Sequence, residues 1–310
     1  MRQSKLDLLF NKSYHSDPAA TRGGIRGMGP VPAIDILCND FTPHGIRKNY
    51  AENEEEKSRF AQVGRTHNFV GYEPEAFLRR MDGLGVDKLL VCAIKTWSFK
   101  HQCLLENSTV EEVAAVTRQA PSRLFGLYGV NVHLGMQGVA EFERAVRDHG
   151  FKGLHIHPHG YGLPPDHAFY FPFYAKAQEL GVPAVISMGH TLDLMPNDPG
   201  RPIHLDTVAL YFSELAVVCT HTGWPWTEEA IALAWKHPNL FIGTSAHAPK
   251  YWKPELVKFI NSHGQDKVMW GTDYPLIDHE ESLRQIDALG LKPASKEKFL
   301  RGNAARIFNL

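Results

Sequence analysis

Eight short apolar runs recur along this chain, and each is followed by an amphipathic stretch. The runs are AIDIL (33–37), KLLVCA (88–93), LFGLYGV (124–130), GLHIH (153–157), PAVIS (183–187), AVVCT (216–220), LFIG (240–243) and KVMWG (267–271). They are near-continuously apolar rather than alternating, which is how strands buried on both faces of a parallel sheet read. The stretches between them have helical periodicity. EPEAFLRRMDGLG sets Phe77, Leu78, Met81 and Leu84 on one face. TVEEVAAVTRQAP starts on Thr109, has Glu112 at capping-box spacing, and stops at a proline. Further helical segments begin near Met136, His167, Thr227, Pro254 and His279. Strand and helix alternating eight times predict a (β/α)8 barrel, the TIM barrel, over residues 31–310. An open doubly wound sheet fits less well, because no glycine-rich phosphate loop follows the first strand.

Composition bounds the partners. A net charge of −1 leaves no basic excess for nucleic acid or an anionic membrane. No apolar stretch reaches the ~18 residues of a membrane span, and the N-terminus lacks the apolar centre of a signal peptide, so a cytoplasmic location is expected. Cys38, Cys92, Cys103 and Cys219 form no CxxC pair and read as free thiols in a reducing compartment. Residues 1–30, polar and glycine-spaced, with YHSD at 14–17, read as an arm. Residues 40–72, with the charge run ENEEEK, read as an insertion placed to cover the catalytic end as a mobile lid.

In a parallel barrel, chemistry gathers at the C-terminal ends of the strands. Those ends carry Leu37, Cys38 and Asn39, then His155, His157 and His159, then Ser187 and His190, then His221, then Ser245 and His247, and finally Asp273. A single polar residue of this kind reads as a satisfied buried side chain. A set at nearly every strand end argues for a shared site, because burying many unpaired imidazoles is costly. His155 and His157 are two apart and so face the same way. Arg201, in PNDPGRPI, has the geometry to clamp a substrate carboxylate, or else bonds loop carbonyls at the surface. Trp224 and Trp226 pack at the mouth, with Trp224 able to stack on a ring.

The pieces AID, GLHIHP, THTGWPW and WGTDYP, with KEKFLRGNAARIF at the close, resemble the amidohydrolase superfamily. The nearest branch is the amidohydrolase-2 group, which includes aminocarboxymuconate-semialdehyde decarboxylase and pyrone-dicarboxylate lactonase. The likeness runs from residue 33 to 310, and MGHTLDLMPNDPGRPIHLD resembles a subgroup of unassigned function. The resemblance implies a divalent metal held by two strand-1 histidines, a strand-5 histidine and the strand-8 aspartate. It also implies a strand-6 histidine that orients substrate or water, and often a homo-oligomer. In this chain the strand-1 places are Leu37 and Asn39 and the strand-5 place is Ser187, while His221 and Asp273 match.

Leucine cannot ligate, and asparagine and serine are poor zinc ligands, so no cofactor is expected. The alternative is a divalent ion, zinc or manganese, at a relocated site of His155, His157, His221 and Asp273. The expected function is hydrolysis of a small carboxylated or oxygenated cyclic compound such as a lactone. Asp273 would activate water while His221 and the strand-4 histidines polarise the carbonyl. Asn39, His155, His157, Ser187, His190, Arg201 and Trp224 would bind substrate. The alternatives are non-oxidative decarboxylation of an aromatic or muconate-like acid, and a decayed binding protein.

Overall fold

The computed structural model describes residues 31–310, and the arm expected over residues 1–30 lies outside the described residues. The strands are β1 (Ala33–Cys38), β2 (Val86–Ala93), β3 (Lys95–Ser98), β4 (Cys103–Asn107), β5 (Leu124–Gly129), β6 (Leu154–Ile156), β7 (Ala184–Ile186), β8 (Val217–Cys219), β9 (Leu240–Gly243) and β10 (Val268–Met269). The main helices are α1 (Glu54–Gln62), α2 (Pro74–Leu84), α3 (Val110–Thr117), α4 (Gly135–His149), α5 (Phe171–Leu180), α6 (Leu205–Tyr211), α7 (Thr227–Lys236), α8 (Pro254–Ile260), α9 (His279–Asp287) and α10 (Asn303–Phe308).

Eight strands run parallel in the order β1-β2-β5-β6-β7-β8-β9-β10. The circle is drawn together by Ile36 N donating to Trp270 O (3.2 Å) and Asp273 N donating to Leu37 O (2.8 Å). This is the expected (β/α)8 barrel. Two elements were not legible as such. β3 and β4 form an antiparallel hairpin after β2, and α6 follows a proline-rich loop whose composition hides it.

Apolar residues split into two layers. Ile34, Leu90, Leu127, Val185, Val218, Phe241 and Met269 fill the barrel interior together with Phe308 of α10. Phe77, Val113, Phe142, Phe173, Val208 and Leu256 pack between sheet and helices. Each such burial contributes about 1.5–3 kcal/mol. A register irregularity between Asp35 and Cys38 lets Ile36 and Leu37 both join the interior layer. The capping box at Thr109 and Glu112 forms as the spacing predicts, and α2 ends on Gly85 at φ 76°, a left-handed cap suited to glycine. Cys38, Cys92 and Cys219 are buried and Cys103 is exposed, all as free thiols. Among the described residues, no helix is long and apolar enough to cross a membrane.

The segment 40–72 is helical. Asn53 caps α1 by accepting from Glu56 N (3.3 Å). The rings of Tyr50, Phe60 and Phe69 then pack against one another at centroid distances of 4.8–5.9 Å.

Candidate active site

The closure between β1 and β10 brings Asn39 beside Asp273. Asn39 Nδ2 donates to Asp273 Oδ1 at 2.9 Å, while Asn39 Oδ1 is buried without a partner. Burial pushes the Asp273 carboxyl up to about 6, although the Asn39 bond and the charge of Arg59 pull it down. Asp273 (φ 58°), His221 (φ 56°), Thr222 (φ 55°) and Ala246 (φ 63°) all have left-handed backbone. Non-glycine residues rarely adopt it, and it gathers at functional sites.

Four strand ends supply a line of side chains. His155 Nε2 lies 3.0 Å from Ser187 Oγ, Ser187 Oγ lies 3.1 Å from His221 Nε2, and His221 Nδ1 lies 3.0 Å from Ser245 Oγ. Burial holds His155 and His221 down at about 3, so both imidazoles are neutral near pH 7. Burial also depresses His157, whose Nδ1 has no partner. His159 serves the backbone instead. Its Nε2 donates to Gly189 O at 2.8 Å and pins the loop after β7. Gly189 sits at φ 85°, and a Cβ there would come within 2.4 Å of Trp224 O.

α1 contributes a residue that sequence reasoning missed. The Arg59 guanidinium pairs with Glu56 and lies 2.9 Å from Asp193 in the loop after β7. Burial opposes its charge, but Asp193, Glu56 and Glu106 outweigh that and raise its affinity for protons. Burial in turn pushes Glu106 up to about 7. Outside this ion bridge is a cleft of about 340 Å³ lined by Ser58, Arg59, Lys100, His101, Asp193 and Leu194. Only the length and charge of the insertion hinted at Arg59; its direction depends on how α1 lies over the barrel.

Trp224 is 37% exposed. Its ring stands edge-on to His190 at 5.4 Å and lies 5.6 Å from His247. Arg201 is exposed and pairs with the Glu229 carboxylate at 2.7 Å rather than with loop carbonyls.

The relocated metal set does not assemble in this structure. Among the described residues, the group of three His, Cys, Asp or Glu side chains whose ligand atoms lie within 4.8 Å of one another is Asp35, Cys38 and His279, not the strand-4 histidines with His221 and Asp273. Asp35 and Cys38 lie on β1, and His279 opens α9. Asp35 already accepts from Leu37 N, Thr272 N, Thr272 Oγ1 and His279 Nε2. Burial and then the charge of Asp35 push the Cys38 thiol well up, so it stays protonated. A filled carboxylate and a neutral thiol do not suit a hard ion such as manganese. At the mouth, Leu37, Asn39 and Ser187 do not fit the family's ligand set either.

A sequence model of the amidohydrolase family (Amidohydro_2) matches residues 70–310. A 2-keto-4-carboxy-3-hexenedioate hydratase from Sphingobium is 24% identical over 209 residues, 55% of this chain and 60% of the relative. The match thus spans less than two thirds of that relative. Among solved structures, an uncharacterised TIM-barrel protein from Bordetella bronchiseptica superposes with TM-score 0.72 and 22% identity, covering 89% of this chain and 98% of that one. A 5-carboxyvanillate decarboxylase from Novosphingobium aromaticivorans, holding manganese and 4-hydroxy-3-methoxy-5-nitrobenzoic acid, gives 0.68 at 19% identity over 91% and 97%. A dihydroxybenzoic acid decarboxylase from Polaromonas, holding manganese and 2-nitroresorcinol, gives 0.64 at 16% identity over 90% and 97%. The manganese in these two similar barrels speaks against the expectation that no cofactor is involved.

Proposed function

Because this chain belongs to the amidohydrolase (Amidohydro_2) family, we propose that it acts as a non-oxidative decarboxylase of a small planar acid of the aromatic or muconate type. The observation that carries the reading is Asp273. It is an inward carboxyl raised to about 6 by burial, beside imidazoles that burial keeps neutral. Decarboxylation breaks the carbon–carboxylate bond, leaves the electron pair on carbon, and needs a proton delivered there. A carboxyl that titrates near neutrality can hold that proton at a defined atom and regain it from water.

Arg59 supplies the positive charge a substrate carboxylate would meet, once Asp193 yields its place. Trp224 offers a face for a planar ring or diene. A divalent ion, where bound, supplies Lewis-acid stabilisation of a developing oxyanion. No step here is routed through it, because the residues at the family's ligand places do not fit one.

The lactone hydrolase expected from the sequence has less support, since the similar proteins of stated activity are decarboxylases and a hydratase. Addition of water to a conjugated polycarboxylate is the second reading, favoured by the hydratase relative. The test is a panel of hydroxybenzoates, muconate-type acids and lactones, assayed with added manganese and again after chelation. Carbon dioxide released in step with substrate loss supports decarboxylation. Loss of diene absorbance without carbon dioxide replaces it with hydration, and acid formed from a lactone alone replaces it with hydrolysis.

A further inference from the structure

Ser187 lies between two neutral imidazoles, 3.0 Å from His155 Nε2 and 3.1 Å from His221 Nε2. It has a single hydroxyl proton. It can donate to one ring only, so the other ring must donate to it. In one arrangement Ser187 donates to His155, and the His155 proton then sits on Nδ1. In the other Ser187 donates to His221, and His155 donates from Nε2 and leaves Nδ1 bare. His155 Nδ1 is buried with no hydrogen-bond partner. A buried N–H without an acceptor is rarer than a bare acceptor without a donor. The second arrangement also gives His221 Nδ1 a proton to donate to Ser245 Oγ at 3.0 Å.

We propose that Ser187 is a positioning residue that locks His155 and His221 in opposite tautomers, His155 protonated on Nε2 and His221 on Nδ1. The tautomers do not rest on the decarboxylase reading.

The experiment uses the full chain with 15N-labelled histidine and two-bond proton–nitrogen correlation at about pH 7, where both rings are neutral. Signals are assigned with His155→Gln and His221→Gln. The expected result is His221 protonated on Nδ1 and His155 on Nε2. Ser187→Ala should mix both tautomers, and Ser187→Thr should restore them. The same tautomer on both rings, or tautomers unchanged in folded Ser187→Ala, overturns the proposal. If Ser187→Ala does not fold, the wild-type spectrum and Ser187→Thr decide. Failure to release carbon dioxide from every acid in the panel would remove the decarboxylase reading and leave the tautomer result standing.

Discussion

Asp35, on β1, and Asp273, in the turn after β10, meet opposite fates. Asp35 is fully buried, and its two oxygens accept from Leu37 N (3.0 Å), Thr272 N (3.0 Å), Thr272 Oγ1 (2.5 Å) and His279 Nε2 (2.9 Å). Asp273 is given a bond from Asn39 Nδ2 and is raised to about 6. Asp35 is fully buried with a full set of donors, whereas Asp273 is half-buried and is given one. A carboxylate with every lone pair engaged holds strands and helix together. One left short of donors changes protonation easily, and that is the property chemistry uses.

The largest expected effect separates the two directly. Asp273→Asn should lower turnover by about 10²–10⁴-fold while leaving the protein folded. Burial raises Asp273 from 3.8 to about 6, so its favourable contribution to stability is complete below the lower value and lost as pH rises through the upper one. Above that, Asp273→Asn should be at least as stable as the parent. Denaturant midpoints at about pH 5 and pH 8, beside carbon dioxide kinetics, check both halves. Near-full turnover would end the role given to Asp273.

Asp35→Ala should act the other way and lose about 3–5 kcal/mol by urea unfolding, because Thr272 and His279 are left facing an unfilled space. A loss under about 1 kcal/mol would break the comparison. Thr109→Ala is the yardstick for an ordinary satisfied cap and should cost about 1 kcal/mol. Its partner Glu112 is held down at about 2; burial opposes this, but bonds from Lys48 and Thr109 N outweigh it. The stability Glu112 contributes is complete above its usual 4.5 and lost as pH falls toward about 2, the reverse of Asp273. An acid titration of Glu112→Gln should therefore be shallower than the parent's. Smallest of all, Arg201→Ala should change stability by less than about 0.5 kcal/mol and leave turnover intact, since its partner Glu229 is a surface pair.

The barrel was legible because buried parallel strands leave apolar runs that cannot be confused with loops. The hairpin Lys95–Asn107 was not, because Thr96 and Ser98 are buried polar residues that break the apolar signal. The line of His155, Ser187, His221 and Ser245 could be anticipated as strand-end residues, but not its hydrogen bonds, which depend on strand stagger. Asp35 was passed over as part of a motif, because nothing local reveals that His279, 244 positions away, comes to meet it. Arg59 stayed hidden in a charge run that reads as solvated surface. Arg201, in a proline-bounded loop that draws the eye, pairs here with Glu229 on α7.

The left-handed backbone at His221, Thr222, Ala246 and Asp273 restricts anyone who sets out to redesign this barrel. At such positions β-branched and bulky residues are disfavoured, while glycine, asparagine and aspartate are admitted readily. A randomised library at His221 or Asp273 would thus be enriched in misfolded members for reasons unrelated to chemistry. Useful diversity lies elsewhere, in α1 and in the Leu192–Leu194 loop, which line the cleft with ordinary backbone. New substrate preferences are more readily built on that rim than on the strand ends beneath it.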